Sequence, residues 1–196
     1  MIISWPEYDK GLLIYINQLG DSQWDMFWAF STSIVAWIPL YLAFLFIALK
    51  SFTRQKALAV ITTILFALAF TLLFTEIIKE IVQRPRPVND PLVSEELRLV
   101  IKGYGYSFFS GHASNSMAIT TLFICFMRKK QKWVYIICLW PLVFGVSRLY
   151  FAVHYPLDVL VGWIAGFVIA IAIYRYLGFP LLNYAAYRET VADRKQ

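Results

Sequence analysis

Long apolar runs separated by short charged segments dominate the chain and predict helices that cross a membrane. The runs that carry almost no charge cover residues 26–49, 57–78, 110–127, 133–153 and 157–174. Each run is close to the length of roughly 20 residues that an apolar helix needs to cross a bilayer. We therefore expect an all-α fold, a polytopic transmembrane helical bundle of about five spans that forms a single domain over residues 1–196.

A sixth helix is expected before the first span, where charged and apolar residues mix over residues 7–20. Apolar side chains recur there at helical spacing, at Tyr8, Leu12, Tyr15 and Leu19. This pattern favours a helix lying in the membrane interface, and a poorly ordered lead-in is the alternative. Between the second and third spans, residues 84–108 are polar and contain several prolines and glycines, which predicts a long loop.

The composition supports a membrane protein and argues against other classes. Hydrophobic residues make up 60% of the chain and charged residues 15%, against about a quarter in an ordinary soluble domain. The net charge of +6 forms no basic stripe with interleaved aromatic residues, so we expect no nucleic-acid partner. The two cysteines lie in apolar runs without metal-ligand or redox spacing, and we expect both to be buried.

Basic residues cluster in segments that share one side of the membrane if there are five spans. Residues 50–56 hold three Lys or Arg, residues 128–132 hold four, and the tail from Arg175 holds four. By the positive-inside rule, that side, including the polar tail 179–196, is the cytoplasm. The 84–108 loop then lies outside the cytoplasm. The loop carries four basic residues against this rule: Arg84, Arg86, Arg98 and Lys102. One explanation is that some of them serve a site.

Three charged clusters fall at the ends of spans, and with five spans they all lie on the outer face. Their sequences are KEIVQRPRP at 79–87, SGH at 110–112 and SRLYFAVHYPLD at 147–158. Lys79 offers a point charge, and Arg86 and Arg148 offer forked donors, all suited to a phosphate group. Ser110 and Gly111 precede a helix start, where free N–H groups and the helix dipole favour an anion.

Both histidines of the chain belong to these clusters and supply the reactive groups of a candidate site. His154 can act as a nucleophile or base, and Asp158, four residues later, can orient its ring. His112 could protonate a leaving oxygen. Taken singly, Lys79 and Arg86 could be snorkelling residues, and the His154–Asp158 pair could be a structural hydrogen bond. Together, the three clusters favour a site that processes phosphate.

These residues resemble the three-part signature of the type 2 phosphatidic acid phosphatase superfamily, which reads KxxxxxxRP, PSGH and SRxxxxxHxxxD. The first and third parts match at every fixed position, from Lys79 to Pro87 and from Ser147 to Asp158. In the second part, Phe109 replaces the usual proline. That position shapes the loop and supplies no reactive group, so we expect activity to survive the change.

The resemblance implies a helical bundle with one site at its outer end, no metal and no cofactor. It implies a phosphohistidine on His154 relayed by Asp158, with His112 as the acid that protonates the leaving group. Phosphate binding would fall to the remaining matched residues: Lys79, Arg86, Ser110, Gly111 and Arg148. The superfamily also holds soluble vanadate-dependent haloperoxidases, and the apolar spans argue against that branch.

The expected function is hydrolysis of a phosphomonoester or diphosphate on a membrane lipid. Undecaprenyl and other polyprenyl diphosphates, phosphatidylglycerol phosphate, phosphatidic acid and lipid A phosphates are all open as substrates. An outward-facing site in a bacterial inner membrane favours polyprenyl diphosphate recycling or lipid A trimming. One alternative is a phosphotransferase that passes the His154 phosphoryl group to another lipid, and another is a non-catalytic protein that binds or transports lipid phosphates. The oligomeric state stays open.

Overall fold

Eight α-helices make up most of residues 5–194, the part of the chain that the computed structural model describes. In chain order they are α1 (Trp5–Gln18), α2 (Ser22–Thr32), α3 (Ile38–Ser51), α4 (Arg54–Val82), α5 (Gly111–Met127), α6 (Leu139–Tyr150), α7 (Pro156–Ile173) and α8 (Phe179–Asp193). Short 3₁₀ turns cover Val35–Trp37, Pro87–Asn89, Ser94–Glu96 and Lys132–Cys138. These residues contain no β-strand, which confirms the predicted all-α class.

The expected single helix over residues 26–49 is instead the broken pair α2 and α3, bent by 67°. Ser33 is extended after α2, and the indole N–H of Trp37 donates to the carbonyl oxygen of Ser31 at 2.8 Å. This bond satisfies a carbonyl group that the end of α2 leaves free. Pro39 stands in the first turn of α3, where its missing N–H group costs no hydrogen bond.

Three helical segments are long and apolar enough to cross a membrane: Arg54–Asn89, Lys132–Tyr150 and Pro156–Ala192. The bent α2–α3 pair makes a fourth if it counts as one span. This count of candidate spans covers residues 5–194. Helix α5 has 17 residues, most of them buried within the bundle, so the expected total of five spans stays a prediction.

Helix α5 lies at the centre of the bundle and packs against α4, α6 and α7. Glycines let α7 approach it closely. A Cβ atom at Gly162 would lie 2.7 Å from the carbonyl oxygen of Ser110, and one at Gly166 would overlap the carbonyl oxygen of Ser114. This GxxxG pair therefore sets the spacing between the two helices that carry His112 and Asp158.

Changes of chain direction gather polar residues at one end of the bundle. Helix α4 is followed by Gln83 in the left-handed conformation, with a φ of 51°, and then by Pro85, which disfavours continuation of the helix. Helix α5 begins after Ser110, whose hydroxyl oxygen caps its first turn. Helix α7 begins with Pro156, a residue well suited to the first helical position.

Helix α1 packs against α6 and α7. Its predicted apolar stripe is exposed, as a helix in the membrane interface requires: Tyr8, Leu12, Tyr15 and Leu19. Its polar Asp9 and Asn17, by contrast, are buried. The side-chain amide of Asn17 donates to the carbonyl oxygen of Tyr150 at 2.8 Å. Buried polar contacts therefore attach α1 to the bundle.

Two features depart from the sequence pattern. The polar tail forms helix α8, which packs against α4 and is joined to it by an ion pair between Lys56 and Glu189 at 2.6 Å. Cys138 is exposed and Cys125 is partly buried, so the expectation that both cysteines are buried is wrong. Cys138 lies at the end of the 3₁₀ turn before α6, at the surface of the bundle.

Candidate active site

The three charged clusters meet at one end of the bundle. The backbone N–H of Ser110 donates to the carbonyl oxygen of Asp158 at 3.0 Å, which joins the second cluster to the third. Nη1 of Arg86 lies 3.2 Å from Nε2 of His154, which joins the first cluster to the third. Residues far apart in the sequence thus form a single polar site.

His154 lies in the turn between α6 and α7 and is only 1% exposed. An arginine can donate hydrogen bonds but cannot accept them, so Nη1 of Arg86 requires a lone pair on Nε2 of His154. The proton of the neutral ring is then on Nδ1, the nitrogen that faces Asp158. The lone pair of Nε2 therefore lies beside the guanidinium group of Arg86.

Asp158 stands in the first turn of α7 and is fully buried. Its Oδ2 lies 3.7 Å from Nδ1 of His154, which is longer than a hydrogen bond, and such contacts often tighten when substrate binds. The same oxygen accepts from the backbone N–H of Tyr155 at 2.9 Å. Nδ1 has no hydrogen-bond partner within the described residues, and Oδ2 is the carboxylate oxygen that faces it.

The surroundings of His154 oppose a second proton on its ring. Burial lowers the pKa of His154 well below its ordinary value of 6.5, and the positive charges of Arg148, Arg86 and Lys79 lower it further. These surroundings favour the neutral ring. Neutral imidazole is the form that can attack phosphorus.

Lys79 approaches the site from the last turn of α4, and Arg86 from the segment that follows this helix. Nη1 of Arg86 also donates to the carbonyl oxygen of Val153 at 2.9 Å, which fixes the guanidinium beside the turn that holds His154. Lys79 pairs with Glu76 on the same helix at 2.6 Å. Its Nζ lies 3.9 Å from the point where a Cβ atom of Gly111 would stand, so the ammonium group faces the start of α5.

Arg148 enters the site from the last turn of α6. Its Nη1 donates to Oγ1 of Thr32, the last residue of α2. Its Nε is buried and lacks a hydrogen-bond partner within the described residues. A buried donor without an acceptor costs free energy, and an oxygen of a bound phosphate group would supply that acceptor.

The start of α5 supplies backbone donors and the second histidine. Ser110 is fully buried and caps the helix, and the N–H groups of Gly111 and His112 fall outside the intrahelical hydrogen-bond pattern. Gly111 has no side chain, so an anion can approach its backbone closely. The ring of His112 packs edge-on against Phe144, with ring centres 4.8 Å apart.

The structure adds two polar residues to the site that the sequence patterns do not indicate, Asp9 and Thr32, and it selects Arg84 from the candidate basic residues of the 84–108 loop. Arg84 was only one of several basic residues in the 84–108 loop, yet it pairs with Asp158 at 2.7 Å. Asp9 pairs with Arg84 at 2.6 Å, although 75 residues separate them. A contact between residues so far apart in the sequence leaves no local pattern. The only hint is an acidic residue, Asp9, within the predicted helix 7–20.

Besides Arg84, which is paired with Asp158, the site holds three cations: Lys79, Arg86 and Arg148. Within residues 5–194, no group of three or more His, Cys, Asp or Glu side chains is placed to hold a metal ion. The arrangement instead provides a neutral imidazole, a carboxylate behind it, three cations and a helix start. This set of groups can bind a phosphate dianion and attack its phosphorus atom.

Comparison with known proteins relates the chain to one family. The model of the PAP2 superfamily matches residues 60–180, which include all three clusters. A lipid A 4'-phosphatase from Bacteroides thetaiotaomicron is 32% identical over 170 residues, which are 85% of this chain and 75% of that protein. An undecaprenyl-diphosphatase from Sulfolobus acidocaldarius is 29% identical over 158 residues, which are 80% of this chain and 65% of that protein.

The fold is also similar to a solved structure. The crystal structure of Aquifex aeolicus LpxE superposes with a TM-score of 0.69 at 27% sequence identity. The match covers 90% of this chain and 100% of that one. The similarity therefore extends well beyond the three clusters.

Proposed function

The chain belongs to the PAP2 superfamily and is a membrane lipid phosphatase, and we propose that it works through a covalent phosphohistidine on His154. The observation that carries the proposal is the 3.2 Å separation between Nε2 of His154 and Nη1 of Arg86. It puts a nucleophilic lone pair next to a donor suited to phosphate. In a buried site such preplaced donors stabilise developing charge far better than they would in water.

In the first step, Nε2 of His154 attacks phosphorus, and an N–P bond forms as the bond from phosphorus to the lipid oxygen breaks. The carboxylate of Asp158 faces the Nδ1–H group of His154 and stabilises the positive charge that develops on the imidazole. His112 gives a proton to the leaving oxygen, so that the lipid leaves as an alcohol or, from a diphosphate, as a monophosphate. The phosphoryl oxygens are held by the remaining groups: Lys79, Arg86, Ser110, Gly111 and Arg148.

In the second step, a water molecule attacks the phosphorus of the phosphohistidine and the N–P bond breaks. His112, now neutral, takes a proton from the water. Inorganic phosphate leaves, and His154 regains its neutral ring with the proton on Nδ1. The same donors serve both steps, because the phosphoryl group moves only between two nearby in-line positions.

His112 needs a proton before it can act as an acid. Its ring lies near the positively charged side chains of Arg148, Lys79 and Arg86. A bound phosphate dianion reverses the local charge and favours the protonated imidazole. We therefore propose that substrate binding itself brings His112 into its acidic form.

The position of the site at the end of apolar helices fits a lipid substrate, because a head group can enter while its tail stays in the bilayer. The relatives named for lipid A and undecaprenyl diphosphate support this class. Phosphatidylglycerol phosphate and phosphatidic acid are further candidates. We propose that the site faces outward in a bacterial inner membrane, since the basic segments 50–56 and 128–132 fall at the opposite ends of α4 and α5.

Phosphate release by the purified protein in detergent micelles, with EDTA present, tests the proposal across these lipid phosphates. We expect release from at least one of them by the wild type and none by a folded His154→Ala variant. Equal release by the two proteins contradicts the phosphohistidine, and complete loss with EDTA contradicts a metal-independent reaction. Mass spectrometry of the lipid products distinguishes hydrolysis from transfer of the phosphoryl group to a second lipid.

A further inference from the structure

Asp158 is bound on the side away from His154 by a residue outside the matched signature positions. Nη1 of Arg84 donates to Oδ1 of Asp158 at 2.7 Å, while the other oxygen, Oδ2, faces Nδ1 of His154 at 3.7 Å. The side chain of Asp158 is 0% exposed. A buried carboxylate needs a paired charge to stay ionised, and Arg84 supplies that charge.

Arg84 is in turn held from the N-terminal helix. Its Nη2 donates to Oδ2 of Asp9 at 2.6 Å, and Oδ1 of Asp9 accepts from the backbone N–H of Leu157 at 2.8 Å. The guanidinium also lies over the ring of Tyr155, 3.8 Å from the ring centre. Asp9 thus bridges Arg84 and the first turn of α7, the turn that carries Asp158.

These contacts leave the carboxylate of Asp158 little freedom to rotate. Oδ1 is fixed by Arg84 and Oδ2 by the backbone N–H of Tyr155 at 2.9 Å. The carboxylate can therefore present only Oδ2 to the imidazole. This geometry favours the tautomer of His154 with the proton on Nδ1 and the lone pair on Nε2.

We propose that Arg84 and Asp9 are positioning residues of the phosphatase, with Arg84 keeping Asp158 ionised and aimed at His154 and Asp9 keeping Arg84 in place. The inference rests on the proposed phosphohistidine mechanism. It makes α1 part of the catalytic apparatus, although α1 lies outside the region matched by the family model, which begins at residue 60. Neither residue is among the proposed phosphate-binding residues, and their contacts lead to Asp158.

The test compares Arg84→Gln, Arg84→Lys and Asp9→Asn with the wild type. Arg84→Gln removes the charge, Arg84→Lys keeps it without the fork, and Asp9→Asn breaks the ion pair. Arg98→Gln is the matched control, because Arg98 pairs with Asp25 of α2 at 2.8 Å, with comparable exposure. Short-chain phosphatidic acid, phosphatidylglycerol phosphate and a polyprenyl diphosphate in micelles are the substrates, and orthovanadate reports phosphate-site binding.

We expect Arg84→Gln to lower kcat by about 10- to 100-fold, the usual effect of removing a residue that orients an active-site ligand, with KM and vanadate inhibition nearly unchanged. Arg84→Lys should recover part of the loss, and Asp9→Asn should show a smaller loss of the same kind. Arg98→Gln should keep the wild-type kcat per folded molecule.

A second readout separates orientation from general damage. The chain contains two histidines, so ring ¹⁵N spectra of labelled protein resolve them, with His112→Gln giving the assignment. The wild type should show His154 protonated on Nδ1, and Arg84→Gln should show a mixture of tautomers. An unchanged kcat in Arg84→Gln overturns the inference. The inference is also overturned if Arg84→Gln loses kcat while His154 keeps the wild-type tautomer, or if it loses vanadate affinity as strongly as kcat.

Failure of the inference is distinguishable from failure of the mechanism. If the mechanism is wrong, His154→Ala retains activity, whatever Arg84 does. If only the inference is wrong, His154→Ala is inactive while the Arg84 and Asp9 variants behave like Arg98→Gln.

Discussion

The backbone N–H of Ser110 donates to the carbonyl oxygen of Asp158 at 3.0 Å, linking the start of α5 to the first turn of α7. A main-chain hydrogen bond therefore joins the start of α5, the proposed phosphate-binding element, to the helix turn that carries Asp158. Gly162 on α7 lies against the carbonyl group of the same Ser110. The geometry of the site thus depends on how closely α5 and α7 pack.

Alanine substitution of the two α7 glycines should test this dependence. A Cβ atom at Gly162 would lie 2.7 Å from the carbonyl oxygen of Ser110, and one at Gly166 would overlap that of Ser114. Because backbone atoms must move, we expect each variant to lose about 1–3 kcal/mol of stability. Gly162→Ala should lose the larger share of activity, since Ser110 belongs to the site. Thermal unfolding in detergent, followed by tryptophan fluorescence, measures the effect.

Gly11→Ala is the control for these substitutions. Gly11 is inside α1, and a Cβ atom there would meet nothing within 4 Å. Since alanine favours a helix over glycine by up to about 1 kcal/mol, this variant should unfold at the wild-type temperature or slightly above. Wild-type melting and turnover in Gly162→Ala would show that the close approach of α5 and α7 is not needed.

Asp158→Asn should abolish most turnover while leaving phosphate binding largely intact. Asparagine keeps the shape but cannot stabilise the imidazolium charge, and the corresponding change in a catalytic triad costs about 10⁴-fold. Steady-state kinetics gives kcat and KM, and vanadate inhibition reports binding. Asp90→Asn is the matched control, because Asp90 is a buried carboxylate paired with Lys10 at 3.0 Å. Unchanged turnover in Asp158→Asn would refute its role behind His154.

Arg148→Ala should weaken binding and turnover together. Its unpartnered, buried Nε is placed to meet a phosphate oxygen, and loss of such a donor in a catalytic site costs about 10²- to 10³-fold. Thr32→Val should have a milder effect, because it removes only the hydroxyl that holds Arg148, worth about 1 kcal/mol or roughly fivefold. Intact turnover and vanadate inhibition in Arg148→Ala would exclude it from the phosphate site.

His154 should stay neutral in the substrate-free protein well below pH 6.5. Burial and three neighbouring cations lower its pKa, so the protonated ring appears only at a pH far below that of a free imidazole. A ring-¹⁵N titration between pH 8 and 5 should show no protonation of His154. Adding vanadate, which brings negative charge, should favour the protonated form of His112. A His154 transition at or above pH 6.5 would contradict this description of the site.

Much of the fold and of the candidate site could be predicted from local sequence. Apolar runs predicted most of the helices. Polar residues at the ends of these runs predicted that Lys79, Arg86, His112 and His154 lie at one end of the bundle. This worked because burying charge in lipid is costly, so charged residues within apolar segments are few and their positions are informative.

Other features depend on contacts that no local pattern encodes. The ion pair between Asp9 and Arg84 links residues 75 positions apart. The local sequence around Asp9 predicts only that it lies on the polar side of an interfacial helix. The break between α2 and α3 falls at Ser31, Thr32 and Ser33, three hydroxyl residues within an otherwise apolar run, and such residues also occur inside helices. It is stabilised by the side-chain bond from Trp37 to the carbonyl group of Ser31.

Direct trapping of the phosphoenzyme tests the central proposal most sharply. Wild-type protein is mixed with a ³²P-labelled lipid phosphate, quenched in alkali within milliseconds and examined for protein-bound label and for the modified peptide. We predict alkali-stable, acid-labile label on His154 that forms before phosphate is released, and none in His154→Ala. Release of phosphate by the wild type with no label on His154 at any time, or label on another residue, would contradict it.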